Sequence, residues 1–155
     1  MKRLSVILAF ALAIAACAGE TAPEPSARET SSLETRNTAG ETTVETFAAA
    51  YNARDIDGMM AQVADDFTWL SVEGDETTIV VSGADSLRSE LQTYFQPGSE
   101  TRSDVEIVKS HGGFVTTLER AYWTVDGDER SQASFAMYEI DDDRIRRVWY
   151  FPAQP

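Results

Sequence analysis

The last third of the chain alternates apolar and polar residues through four successive runs, SDVEIVKS, FVTTLERAYWTV, RSQASFAMYEI and RIRRVWYF. His111-Gly112-Gly113, Asp126-Gly127-Asp128 and Asp141-Asp142-Asp143 divide them. A period of two marks a strand with one covered face, and glycine- and aspartate-rich breaks mark tight turns. Breaks this short cannot hold a crossover helix, so neighbouring strands must run antiparallel. An amphipathic sheet of this kind needs a partner layer, and the helices upstream can provide it.

The upstream pattern supplies helices. Val44, Phe47, Ala48 and Tyr51 recur at helical spacing, as do Ile56, Met59, Met60 and Val63. Asn52 to Asp55 form the joint, and Asp55 can cap the second helix. Two strands, FTWLSVEG and TTIVVSG, follow around Gly74-Asp75-Glu76. Ser82-Gly83-Ala84-Asp85 reads as a capping box opening a third helix, which carries Leu87, Leu91, Tyr94 and Phe95 on one face and stops at Pro97-Gly98. The order α-α-β-β-α-β-β-β-β predicts an α+β fold. Three helices of the N-terminal half pack on a curved, mostly antiparallel six-stranded sheet.

The chain opens MKRLSVILAFALAIAACAG. Lys2 and Arg3 precede an apolar run, Leu4 to Ala16, that is short of the ~20 residues a spanning helix needs, which is the pattern of a secretory signal. Ile14-Ala15-Ala16-Cys17 resembles a bacterial lipobox. That resemblance implies acylation at Cys17, cleavage before it, and attachment to a membrane by several acyl chains. An ordinary signal peptide that happens to hold a cysteine is the plainer alternative. Ala18 is not aspartate, which by analogy with enteric bacteria implies the outer membrane, facing the periplasm, rather than the inner one. Residues 1–16 thus read as signal peptide. Residues 17–40 hold one large aliphatic side chain, Leu33, and read as lipidated cysteine and disordered tether. The ordered domain spans 41–155. Cys17 is the only cysteine, so no intrachain disulfide is possible. The formal charge of −13 becomes −15 once Lys2 and Arg3 are lost with the signal, which carries no acid. With no basic stripe, nucleic-acid binding is excluded.

The segments FAAAYNARDIDGMMAQVADDFTW and YEIDDDRIRRVWYFP carry a family likeness. The first resembles the helix, joint, second helix and strand entry of the nuclear transport factor 2-like superfamily, more narrowly its SnoaL-like members. The second resembles their closing hairpin. The likeness covers residues 41–153. It implies a sheet curved into a cone by its helices, with a pocket at the open end. The superfamily includes ketosteroid isomerases, polyketide cyclases, dehydratases, epoxide hydrolases and non-catalytic modules, so fold alone leaves function open.

Ketosteroid isomerase chemistry needs a carboxylate base and two oxyanion donors, a tyrosine and a protonated acid. Aligned on Ala64-Asp65-Asp66, the tyrosine position falls on Phe47 and the base position on Ser71. Aligned on Met137, the protonated-acid position falls on Phe135. None of the three can play its role. The only histidine, His111, lies in a Gly-Gly turn, which leaves dehydratase-like His–Asp chemistry and a His-based metal centre without support; no metal or cofactor is expected. The same offsets imply a pocket lined by Phe47, Tyr51, Trp69, Ser71, Trp123, Phe135, Met137, Val148 and Tyr150. That composition suits a small apolar ligand oriented by a few hydrogen bonds, and it suits a filled core equally. Glu119 stands out, sharing a strand face with Ala121, Trp123 and Val125. It can act as a buried general acid or base, lie at the cone mouth, or pair with Arg120, Arg130 or Arg147. The expected function is a non-catalytic ligand-binding or accessory module; the alternative is an enzyme of unassigned type using Glu119 on a hydrophobic substrate. A homodimer through the sheet face is a further expectation, because Trp149 and Phe151 would suit it.

Overall fold

The computed structural model describes residues 27–96 and 101–155. Its elements follow the expected order: α1 (Ala27–Ala53), α2 (Ile56–Ala61), β1 (Val63–Glu73), β2 (Glu76–Ser82), α3 (Ala84–Tyr94), β3 (Arg102–His111), β4 (Phe114–Val125), β5 (Asp128–Asp141) and β6 (Arg144–Tyr150). The six strands form one sheet in the order β2-β1-β6-β5-β4-β3. Only β1 and β6 run parallel. Register shifts at Trp69/Leu70, Ile107/Lys109 and Glu139/Ile140 interrupt the ladders. Such irregularities bend a strand and increase its twist, which curves the sheet around the helices.

The hairpins use the backbone conformations their sequences allow. Asp126 and Gly127 have φ of 55° and 87°, and Asp142 and Asp143 have 48° and 58°. Positive φ at both central residues gives the turn whose twist matches the flanking strands, and aspartate and glycine tolerate it best. Asp55 caps α2, accepting from the Gly58 N–H at 2.9 Å. The capping box at Ser82 does not form. Gly83 is the N-cap, with φ 88°, and its N–H donates to the Phe67 carbonyl at 2.7 Å. That conformation binds the entry of α3 to β1 and leaves Ser82 in the strand. Pro97 and Gly98 lie outside the described residues.

The core lies between the concave sheet face and the helices. Phe67, Met59, Ile145, Val44, Val63 and Val115 are its most enclosed large side chains, joined by Val81, Leu87, Leu91 and Tyr138. Each is worth about 1.5–3 kcal/mol of transfer free energy when fully buried.

One boundary differs from the sequence expectation. Helix α1 starts at Ala27, so residues 27–40, read as tether, are helical. Their docking is polar, which is why a search for apolar periodicity passes over them. Asn37 Oδ1 accepts from the Gly112 N–H at 3.0 Å, and Thr43 Oγ1 reaches the Asp143 carbonyl at 3.0 Å. Ser110 donates to Glu41, and the Asn52 side chain brackets Ser103 with bonds of 2.7 and 2.8 Å. These bonds fasten α1 along edge strand β3 and the adjoining turns. Gly40 is buried because a β-carbon there would stand 3.2 Å from Val115 Cγ2 and 3.4 Å from Ile140 Cγ1. Residues 1–26, with the expected signal peptide and Cys17, lie outside the described residues. Among the described residues no helix is long and apolar enough to cross a membrane.

The contact at Gly40 makes a test of the extended helix. Gly40→Leu should destabilise the domain by about 1–3 kcal/mol through overpacking, read from urea denaturation. The same change in a free tether would leave the midpoint unmoved.

Candidate functional site

Strand β4 alternates Val115, Thr117, Glu119, Ala121 and Trp123 onto one face. Cross-strand register carries that face across the sheet. Val115 is opposite Tyr138, Thr117 opposite Ala136, and Glu119 opposite Ser134. Ala136 is opposite Tyr150 and Tyr138 opposite Val148, and these pair onward with Ser71 and Trp69 of β1. The even residues of β5 therefore point into the cone.

This corrects two expected pocket residues. Phe135 and Met137 lie on the convex face, opposite Leu118 and Thr116, and Phe135 is 52% exposed. A slip of one residue in the alignment turns every side chain of a strand to the other face. The strand itself carries the signal. In FAMYEI the odd set ends in charged Glu139 and the even set in apolar Ile140. Phe135 does not enter the cone, so the isomerase acid position does not fall on it.

The slip also hid the centre of the site. Glu119 is only 9% exposed. Its Oε1 accepts from the Tyr138 hydroxyl at 2.6 Å and from Thr117 Oγ1 at 2.9 Å. Its Oε2 accepts from the Tyr150 hydroxyl at 2.8 Å. The two phenol oxygens are 3.1 Å apart. Tyr138 and Thr117 were absent from the sequence reading. Thr117 was accessible to it, two residues from Glu119 on the same strand face. Tyr138 was not, while the register was wrong.

None of the expected arginine partners reaches Glu119. Arg147 pairs with Glu139 at 3.0 Å, and Arg120 donates to Ser131 at 3.2 Å. Both project from the opposite face of their strands. Arg146, beside the Asp141–Asp143 turn, bonds Asp141 at 3.3 Å and also Asp66 of β1 at 2.9 Å. The carboxylate is held by neutral donors alone among the described residues. Each charge-assisted bond is worth about 1.5–3 kcal/mol, against several kcal/mol to bury the ion. Three bonds offset that cost without a large surplus. Burial is the chief cause that pushes the Tyr138 and Tyr150 hydroxyls well above the ordinary phenol pKa, and the neighbouring Glu119 charge adds to it.

Towards the open end, the site is aromatic. The Trp69 and Tyr150 rings lie 5.5 Å apart, tilted by 51°. Tyr51 packs on Phe95 at 5.3 Å, and its hydroxyl meets those of Tyr94 and Thr101 at 3.2 and 3.4 Å. Burial raises the Tyr51 pKa as well. Ser71 and Trp123 are half-buried on the inner face. Phe47 and Val148 pack in the core below. His111 is exposed in its turn. An open depression of about 660 Å³ lies elsewhere, between Glu34–Thr43 of α1 and Asp143, bordered by no residue of this site.

With the geometry in hand, comparison with known proteins places the chain. The SnoaL-like domain family matches residues 44–148, two thirds of its length. The chain belongs to the SnoaL-like domain family. Solved structures agree on the fold. A cystatin-fold protein of Novosphingobium aromaticivorans matches with 24% identity and a TM-score of 0.61, over 73% of this chain and 97% of its own. A Xanthomonas campestris pv. campestris protein assigned as a polyketide cyclase matches with 19% identity and a TM-score of 0.60, over 76% and 92%. A Mycobacterium tuberculosis epoxide hydrolase matches with 20% identity and a TM-score of 0.58, over 74% and 83%. No curated protein matches. These identities establish for this SnoaL-like domain a shared fold and nothing narrower.

Two outcomes test the network. Glu119→Ala strands the Thr117, Tyr138 and Tyr150 donors and should cost about 2–4 kcal/mol in urea denaturation, while Glu119→Gln, which keeps an acceptor, should cost less than about half of that. Raised phenols carry a pH signature with a definite sign. Below the unfolded phenol pKa of about 10 both states keep their protons and stability is level. Above it the unfolded chain ionises first, so stability falls with rising pH until the folded pKa is passed. An alkaline ultraviolet titration should show Tyr138 and Tyr150 ionising only with unfolding, and the double change to phenylalanine should remove that step.

Proposed function

We propose that this SnoaL-like domain is a binding module that holds a small, largely apolar ligand at the open end of its cone and does no chemistry on it. One observation supports the reading above the others: the hydroxyls of Thr117, Tyr138 and Tyr150 all spend their protons on Glu119. An oxyanion site needs donors aimed at a carbonyl oxygen. Here the donors converge on the protein's own carboxylate. Half-buried Trp69 and Ser71 beside Tyr150 give such a ligand an apolar wall and a polar contact, the usual make-up of a small-molecule site. The enzyme alternative keeps Glu119 as acid or base.

The lipobox-like Cys17 supports placing the module on a bacterial envelope membrane, the outer one by the Ala18 argument. The convex face supports a second copy of the chain as partner, with Phe135 exposed and Ile79 60% exposed. Phe151 at the chain end is 40% exposed.

Native mass spectrometry on the protein purified from a bacterial host reads ligand and subunit number together. The expected result is a reproducible small added mass that disappears on denaturation. A clean unliganded mass after gentle purification, together with hydrolysis, isomerisation or cyclisation in a substrate screen that is lost in Glu119→Gln, would overturn the binding reading in favour of the enzyme.

A further inference from the structure

The ligand class can be narrowed by counting protons, on the reading that the cone is a ligand site. Tyr138 and Tyr150 own one hydroxyl proton each, and both go to Glu119. The Thr117 hydroxyl proton goes there too. The network therefore has no donor left to offer. What remains is acceptor capacity. A carboxylate has about four lone-pair directions. Oε1 already receives two bonds and Oε2 one, so a direction remains open on Oε2. The phenol oxygens are 3.1 Å apart, so either can also donate to the other, and every hydroxyl proton stays inside the network. A group that enters here must donate.

It must also satisfy a charge. Glu119 is more than nine-tenths buried, and no arginine or lysine among the described residues pairs with it. Aromatic rings gather near it: Trp69 lies against Tyr150, which bonds Glu119, at 5.5 Å, and Tyr51 packs with Phe95 at 5.3 Å and Tyr94 at 6.3 Å. Aromatic faces around an ion attract a cation, more strongly when water is excluded. The formal charge of −13 over the whole chain raises the local concentration of cations and lowers that of anions.

We propose that the cone selects a small hydrophobic amine, whose protonated nitrogen donates to Glu119 Oε2 and the tyrosine oxygens while the aromatic rim covers its apolar part. A ketone or ester would meet only lone pairs, and a carboxylate would meet like charge as well. The inference separates this site from one built to polarise a carbonyl, where the tyrosines would have to point their protons outward.

Three probes of one skeleton decide it: phenethylamine, phenethyl alcohol and phenylacetate, titrated at neutral pH into the intact protein by isothermal calorimetry. The amine should bind roughly tenfold or more tightly than the alcohol, as a charge-assisted hydrogen bond with a desolvated cation–π contact requires, and phenylacetate should not bind. Glu119→Gln should abolish the preference for the amine over the alcohol, circular dichroism serving as the folding control. Equal or tighter binding of the alcohol or the acid overturns the amine proposal and leaves the cone as a ligand site. No saturable binding of any probe overturns both. If Glu119→Gln fails to fold, the ranking on the unaltered protein still decides, because it needs no variant.

Discussion

The register between β4 and β5, with Thr117 opposite Ala136, decides which side chains enter the cone. Side chains alternate strictly along a strand, so this one pairing assigns an inner or outer position to each residue of two long strands. Through the further pairing of Ala136 with Tyr150 it also orients β6. Thr117, Glu119, Tyr138 and Tyr150 meet because three strands agree in phase. They occupy four positions of three strands, and no two from different strands are near in sequence. Had β5 slipped by one, Phe135 and Met137 would fill the interior and Glu119 would lose its shortest bond.

The helices act on that sheet in two ways. Their apolar faces supply Val44, Met59, Leu87 and Leu91 to the core, which holds the concave face dry at its closed end. Their polar residues determine placement. Asn37, Glu41 and Asn52 bind α1 to edge strand β3 and its turn, and so fix the helix that carries Tyr51. At the other edge, positive φ at Gly83 joins α3 to β1 and brings Tyr94 and Phe95 beside Tyr51. The aromatic rim is thus assembled from two helices and two strands, each fastened separately.

A buried carboxylate among neutral donors is close to break-even for stability, since the bonds repay little more than its desolvation. Such a group contributes specificity more than it contributes folding energy. Its neighbours' protons are committed, its remaining lone pair is not, and its charge is unmatched. The same arrangement that makes Glu119 a poor partner for a carbonyl makes it a good one for a donor.

Fold class, element order, the Asp55 cap and the turn positions were all legible in the sequence, because they rest on local chemistry: period, capping side chains, and the residues that accept positive φ. The exposed setting of His111 and the inward face of Glu119 were legible for the same reason. The start of α1 was not, because polar docking of Asn37 and Thr43 leaves no apolar period. Nor was the company Glu119 keeps. Which tyrosines approach it, and that no arginine does, depends on strand register, and register is a relation between segments far apart in the chain that no single segment encodes. The sequence by itself determined that this is a helix-covered, mostly antiparallel sheet with Glu119 on the same strand face as Trp123; tertiary pairing alone decided that the acid is buried and held by Thr117, Tyr138 and Tyr150, since only the folded sheet brings their phases together.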